Sequence, residues 1–320
     1  MVTRIQIVPV GNLGNQMLQL MLAESMQQRL RGLDIGGIDL PDWGLTRKLS
    51  APLAPRRLRL IGQHLDLALV ERLLVNGTVR ELELAALGFR MHHYLPRASY
   101  QPLFPRQEPA VPDGLADGLL INVRGAEILA DTHPDYGPIP VHFYRQLVAA
   151  TGLRPVFMGQ IGNDAYSHEI RQAFPTATML QSRGPMGDFE LIRSARHIVT
   201  SVSTFSWLAA WLSDAQTIHM PVFGMFNPAQ REDIDLLPLD DPRYRFYSFP
   251  VRHWKGTPAQ FEALEAPADF PVLRVDAVHK LLDDAARRLA PRARLYRHRL
   301  LVRALLHRWA GIAGRVGLQP

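Results

Sequence analysis

The chain has 320 residues, 47% of them hydrophobic, no cysteine and a formal net charge of +6. That length holds one large core or two ordinary ones, and roughly 150 residues per domain favours two. The absence of cysteine excludes disulfides, thiolate metal sites and cysteine nucleophiles, and no run of about 18 uninterrupted apolar residues offers a membrane span.

In chain order, Ile5-Gln6-Ile7-Val8-Pro9-Val10 reads as a strand that runs into Gly11-Asn12-Leu13-Gly14-Asn15-Gln16-Met17 and then into a helix over 17–30. The two glycines let a bound group approach the backbone. The N–H groups of a first helical turn favour an anion or a sugar hydroxyl. Gly14, Asn15 and Gln16 are therefore candidate ligand-binding residues, with a tight βα turn capped by asparagine as the alternative. The third glycine of G-x-G-x-x-G is missing, so the turn does not match a dinucleotide fingerprint. Residues 1–4 lead into the strand without a secretory apolar region, and a cytoplasmic location is expected.

Residues 41–112 are rich in proline and carry helix patterns at 65–74 and 80–87. They read as the variable part of a first domain, residues 1–115, ending in a proline-rich linker. Within them His92-His93-Tyr94 reads as surface or interdomain packing. From 119 the pattern alternates. Strands are expected at 119–123, 154–158, 178–180, 197–200 and 217–222, and helices at 141–150, 165–173, 187–195 and 206–212. Repeated βα units imply a parallel sheet covered on both faces, which makes residues 116–275 a second domain. The aromatic run Tyr244-Arg245-Phe246-Tyr247-Ser248-Phe249 reads as an edge strand.

Ligands of such sheets sit at the carboxyl ends of the strands. There the sequence places Arg124, Gly125 and Glu127, then Gly159, Gln160, Asn163 and Asp164, then Ser201, Ser203, Thr204 and Ser206. Amides, hydroxyls and a guanidinium with few carboxylates suit a phosphate and several hydroxyls without a metal. Ser203, Thr204 and Ser206 open a helix, where they hold phosphate oxygens or serve as N-caps. Trp207 and Trp211, four apart on that helix, read as core.

The last segment, 276–320, reads as helical and basic. Residues 285–320 carry nine arginines and no acid, which leaves −3 for residues 1–284. A charge confined to the tail argues against a nucleic-acid partner. Leu289, Leu295, Leu300, Leu301, Leu305, Leu306, Trp309 and Ile312 recur near helical spacing among the arginines. Two readings stand: a peripheral contact of residues 285–320 with an anionic membrane, or a helix packing its leucines on the body.

Three ordered blocks resemble the α-1,2-fucosyltransferase family. Gly11-Asn12-Leu13-Gly14-Asn15-Gln16-Met17 is similar to its opening G-x-L-G-N-Q-M-F. Gly187-Asp188-Phe189-Glu190-Leu191-Ile192-Arg193-Ser194-Ala195-Arg196-His197-Ile198-Val199 is similar to D-x-x-L-M-S-x-C-K-H-x-I, and Ser203-Thr204-Phe205-Ser206-Trp207-Leu208-Ala209-Ala210-Trp211-Leu212 resembles S-S-F-S-W-W-G-A-W-L. Where the family has H-x-R-R-G-D, this chain has Ile121-Asn122-Val123-Arg124-Gly125-Ala126-Glu127 and keeps one arginine. The resemblance implies an α/β fold of two Rossmann-like domains with parallel sheets facing across a cleft, of the GT-B type. It implies a glycosyltransferase that inverts at the anomeric carbon and needs no metal or other cofactor beyond a nucleotide-sugar cosubstrate, GDP-linked in the family. Arg124 then contacts the donor diphosphate. Glu127 is the first candidate for the base, three residues past Arg124, with Asp131, His133 and Asp135 as rivals on a loop. The donor stays open between fucose and another hexose or acidic sugar. The expected acceptor is a surface-glycan or lipid-linked hydroxyl, in polysaccharide biosynthesis at the inner face of the plasma membrane. A catalytically silent sugar- or nucleotide-binding relative is the other reading.

Overall fold

The computed structural model describes residues 3–30, 32–54, 57–107, 112, 114–130 and 133–313, the last four by backbone alone. The chain divides into two compact units, Met1–Phe104 with Ala286–Pro320, and Pro105–Ala285. This division differs from the sequence boundaries at 115 and 275: the first falls earlier, and the basic segment is shared between the units.

The first unit opens with β1 (Thr3–Ile7), whose Ile5 and Ile7 are fully buried, and α1 (Leu13–Arg29). It continues with β2 (Leu33–Gly36), an antiparallel pair β3 (Ile38–Leu40) and β4 (Leu45–Arg47), β5 (Leu58–Gly62), α2 (Leu67–Val75) and β6 (Glu81–Ala86). The main sheet runs β2-β1-β6-β5, all parallel. The chain therefore lays β2 on one side of β1 and later elements on the other, a switch point beside β1.

The segment 80–87 is a strand at the centre of this sheet, not the helix its composition suggests. Glu, Leu and Ala favour helix, but here they alternate with the period of a strand. Leu82 and Leu84 are fully buried, while Glu81 pairs with Arg4 at 2.7 Å and Glu83 with Arg57 at 2.6 Å and Arg59 at 2.8 Å. Hydrogen bonding to β1 and β5 on both sides then overrides local propensity. His93 and Tyr94 are likewise core rather than surface, with His93 Nδ1 donating to the Gly88 carbonyl at 2.9 Å. Burial depresses the His93 pKa to about 3, against the opposing pull of that bond.

The second unit carries β7 (Gly118–Val123), α3 (Val141–Thr151), β8 (Arg154–Gly159), α4 (Ala165–Ala173), β9 (Thr178–Met179), α5 (Gly184–Ser194), β10 (His197–Val199), α6 (Thr204–Leu212), β11 (Thr217–Val222), β12 (Tyr244–Ser248), α7 (Pro258–Glu265) and β13 (Val272–Leu273). Its sheet runs β13-β12-β11-β10-β7-β8-β9, parallel except for the short β12–β13 pair. The aromatic strand β12 is thus interior to the order, not an edge. Trp207 and Trp211 stack at 5.6 Å within the core, and Trp207 Nε1 donates to the Leu236 carbonyl at 2.7 Å. Both units are α/β with parallel main sheets.

A long helix, α8 (Val275–Ala313), passes from the second unit into the first. In the first unit it buries Leu289, Leu300 and Ala304, sets the Tyr296 ring 5.7 Å from His64, and places Arg297 3.5 Å from Asp66. Among the described residues, no helix is long and apolar enough to cross a membrane.

Candidate functional site

In the larger sheet the chain winds outward from β7 through β8 and β9, then returns to build β10, β11 and β12 on the other side. The crevice at such a reversal, beyond the carboxyl ends of the strands, is where open α/β sheets bind ligands. Three loops meet there, those after β7, β8 and β10.

Arg124 spans the reversal. Its Nη1 donates to the Val202 carbonyl at 3.2 Å, beyond β10, and its Nη2 lies 3.3 Å from Glu127 Oε1. The ring of Tyr136 lies 4.7 Å beneath the guanidinium carbon, a cation–π contact that fixes its plane. Glu127 sits on a short 3-10 turn, Ala126–Leu129, with its side chain 52% exposed. Ala126 heads that turn at φ 49, in the left-handed region that costs a side chain energy. From the β8 loop, Gln160 donates to Glu127 Oε2 at 2.8 Å and accepts from the Gly125 N–H at 3.2 Å. Gly159 makes this approach feasible: its φ is +103, and a Cβ there would meet the Val123 carbonyl oxygen.

The β10 loop is braced from inside. Ser201 Oγ donates to Asn122 Oδ1 at 2.7 Å, and the Ser201 N–H donates to Ser206 Oγ at 3.2 Å. Ser206 is fully buried, and its hydroxyl holds the turn. Ser203 is the N-cap of α6, accepting from the Phe205 N–H at 3.2 Å. Ser203 and Thr204 are both partly exposed.

Asp135 sits inside its loop. Its carboxylate is buried and both oxygens are engaged, Oδ1 by Gln230 Nε2 at 3.0 Å and Oδ2 by Arg231 Nη1 at 2.8 Å. A carboxylate so committed anchors the loop. Burial works against the charge of Arg231, yet hydrogen bonds and charge from Asp233 and Asp135 outweigh it and hold its pKa above the ordinary arginine value. The next residue, Tyr136, has a phenol pKa raised by burial and partly offset by Arg124 and Arg231. Asp135 thereby positions Tyr136, and Tyr136 positions Arg124. Its rival His133 is exposed, and Asp131 lies outside the described residues.

Asn163 and Asp164, also past β8, turn away from this cluster. They line a cavity of about 500 Å³ with His142, Arg145 and His168. Asp164 is the N-cap of α4, bonding the Ser167 N–H and hydroxyl, both at 2.8 Å. That hollow contains none of the groups that converge at the reversal.

In the first unit, the turn after β1 is largely self-made. Gly11 takes φ 71, α1 starts at Leu13, and Gln16 Nε2 donates back to the Gly11 carbonyl at 3.0 Å. Asn12 is the N-cap residue without a side-chain capping bond. Gly14 is buried and Asn15 partly exposed. The residue that sequence reasoning missed is Gln19. Fully buried, it accepts from the Val10 N–H at 2.9 Å and donates to the carbonyls of Val8 at 3.0 Å and Ala86 at 3.2 Å. It ties the ends of β1 and β6 together. A buried amide in a helix otherwise apolar on that face was the signal available in the sequence.

The architecture is that of an α/β protein of two parallel-sheet units, with a polar cradle at the carboxyl ends of the larger sheet. Solved structures similar to it include the E. coli heptosyltransferase WaaC with ADP, at 12% identity over 68% of this chain and 87% of that one, TM-score 0.35. A mutant of Arabidopsis thaliana FUT1 in complex with GDP matches at 14% identity over 68% of this chain and 70% of that one, TM-score 0.40. No family model and no curated protein matches the sequence.

Proposed function

We propose that this chain is an inverting glycosyltransferase that moves a sugar from a nucleotide-sugar donor to an acceptor hydroxyl without a metal. The observation that carries the reading is Arg124 bridging the β7 and β10 loops at the reversal of a parallel sheet, with Glu127 and Gln160 beside it. It agrees with the ordered motif blocks in the sequence.

In this reading, the diphosphate of the donor takes the guanidinium of Arg124 in a bidentate contact and displaces Glu127 from it. Gly159, Ser203 and Thr204 border the same anion. The acceptor oxygen attacks the anomeric carbon as the bond from that carbon to the diphosphate oxygen breaks. Glu127 receives the acceptor proton, and Arg124 stabilises the negative charge that grows on the departing nucleoside diphosphate. The donor is fucose-linked or carries another hexose or acidic sugar. The acceptor is a surface-glycan or lipid-linked hydroxyl.

Thermal melts of the full chain against a panel of nucleoside diphosphates test the reading, since a ligand that binds only the folded state raises Tm. At least one diphosphate should raise Tm, and Arg124→Ala should abolish that shift and cut transfer about 10²–10³-fold, as loss of a transition-state donor does. EDTA should leave transfer intact. An Arg124→Ala protein that keeps both affinity and transfer removes the site. A Tm shift in the parent with neither transfer nor hydrolysis from any nucleotide sugar leaves a silent nucleotide-binding relative.

A further inference from the structure

We infer that the outward face of α8, over residues 294–309, docks on an anionic lipid bilayer. The helix has two apolar stripes, and only one is used by the fold. Leu289, Leu300 and Ala304 are buried and Tyr296 faces His64, all on one side at helical spacing. At about 100° per residue, Leu295, Val302, Leu305, Leu306 and Trp309 fall within one sector about 100° wide on the opposite side. These five are the large apolar side chains exposed on this stretch, with Leu306 64% and Trp309 76% exposed. A folded chain gains nothing by holding such a row in water.

Charge says what covers it. Arg294 and Arg308 lie along one flank of the outward stripe and Arg299 and Arg303 along the other, and no acid occurs after residue 284. A second protein core would have to neutralise these guanidinium groups. A bilayer takes the apolar row among its acyl chains while the arginines reach up to anionic headgroups, with attraction of roughly 1 kcal/mol per basic residue. The body remains mildly acidic, so attraction is confined to this one helix. The inference is independent of donor chemistry.

The test is co-sedimentation of the full chain with phosphatidylcholine vesicles and with vesicles in which part of that lipid is replaced by phosphatidylglycerol. Binding should require the anionic lipid and weaken with added salt. Leu305→Gln, Leu306→Gln and Trp309→Gln together should abolish binding without adding charge. Arg294→Gln, Arg299→Gln, Arg303→Gln and Arg308→Gln should each lower the partition constant about five-fold. Tm should stay at the parent value in every variant, because the altered side chains are exposed. Equal binding to both vesicle types, or a triple variant that binds like the parent, overturns the inference. So does concentration-dependent dimerisation that the triple variant abolishes in a chain that ignores vesicles, which would make the face a contact between copies.

Discussion

Arg124 is aimed by a carbonyl and an aromatic ring as much as by a carboxylate. Val202 holds one arm of the fork and Tyr136 lies under its plane, so orientation survives when an anion takes the place of Glu127. Gln160 still holds Glu127 from the other side. Glu127→Gln should therefore keep nucleotide affinity, read as the Tm shift, while kcat falls about 10²–10⁴-fold, the range for loss of a general base. An unchanged kcat assigns the proton elsewhere. Arg124, Glu127 and Gln160 were legible in the sequence because each lies within a few residues of the end of an apolar run. The role of Asp135 was not. Its partners Gln230 and Arg231 lie 95 and 96 residues further on, and only the fold reveals that the carboxylate is already engaged. Gln19 is hidden for the same reason, since its bond to Ala86 spans 67 residues.

At the scale of elements, legibility followed burial. The strands β7 and β11 are buried along nearly their whole length and read as mainly apolar runs, broken by Asn122 in the one and His219 in the other, and their intervening helices carry regular apolar spacing. In the first unit the strands are short and each carries at least one charged residue, and Glu-Leu-Glu-Leu-Ala-Ala looks like helix until arginines from β1, β5 and the residue before β5 are seen to pair with it. Ion pairs with exposed partners contribute little on their own. The strand's acids nonetheless sit in the middle of a sheet, with Glu83 buried between two arginines. Glu83→Lys should thus cost about 3 kcal/mol by burying a like charge beside Arg57 and Arg59. Glu83→Gln, which keeps the shape and some hydrogen bonding, should cost about 1 kcal/mol. Urea midpoints measure both. Equal and negligible effects would mean that the face is effectively solvated.

For the molecule as a whole, α8 belongs to the fold before it belongs to any partner. Its inward stripe is part of the first unit, so removing Ala286–Pro320 takes Leu289, Leu300 and Ala304 out of a core. At about 1.5–3 kcal/mol for each large buried side chain, that loss is comparable with the total stability of a domain, roughly 5–15 kcal/mol. Truncation after Ala285 should therefore unfold the first unit even with no membrane present. Hydrogen exchange resolves the effect by segment: amides of α2 and of 91–94, near the contacts of Tyr296 and Arg297, should lose protection, while β7 and β10 in the second unit should keep it. Retained protection at α2 would show that the helix is an appendage whose burial is incidental. The same comparison explains why lipid binding has to be probed through the outward side chains alone. A truncated chain that failed to bind vesicles would have lost its fold and its apolar row together, whereas Leu305, Leu306 and Trp309 can be changed with the inward stripe intact.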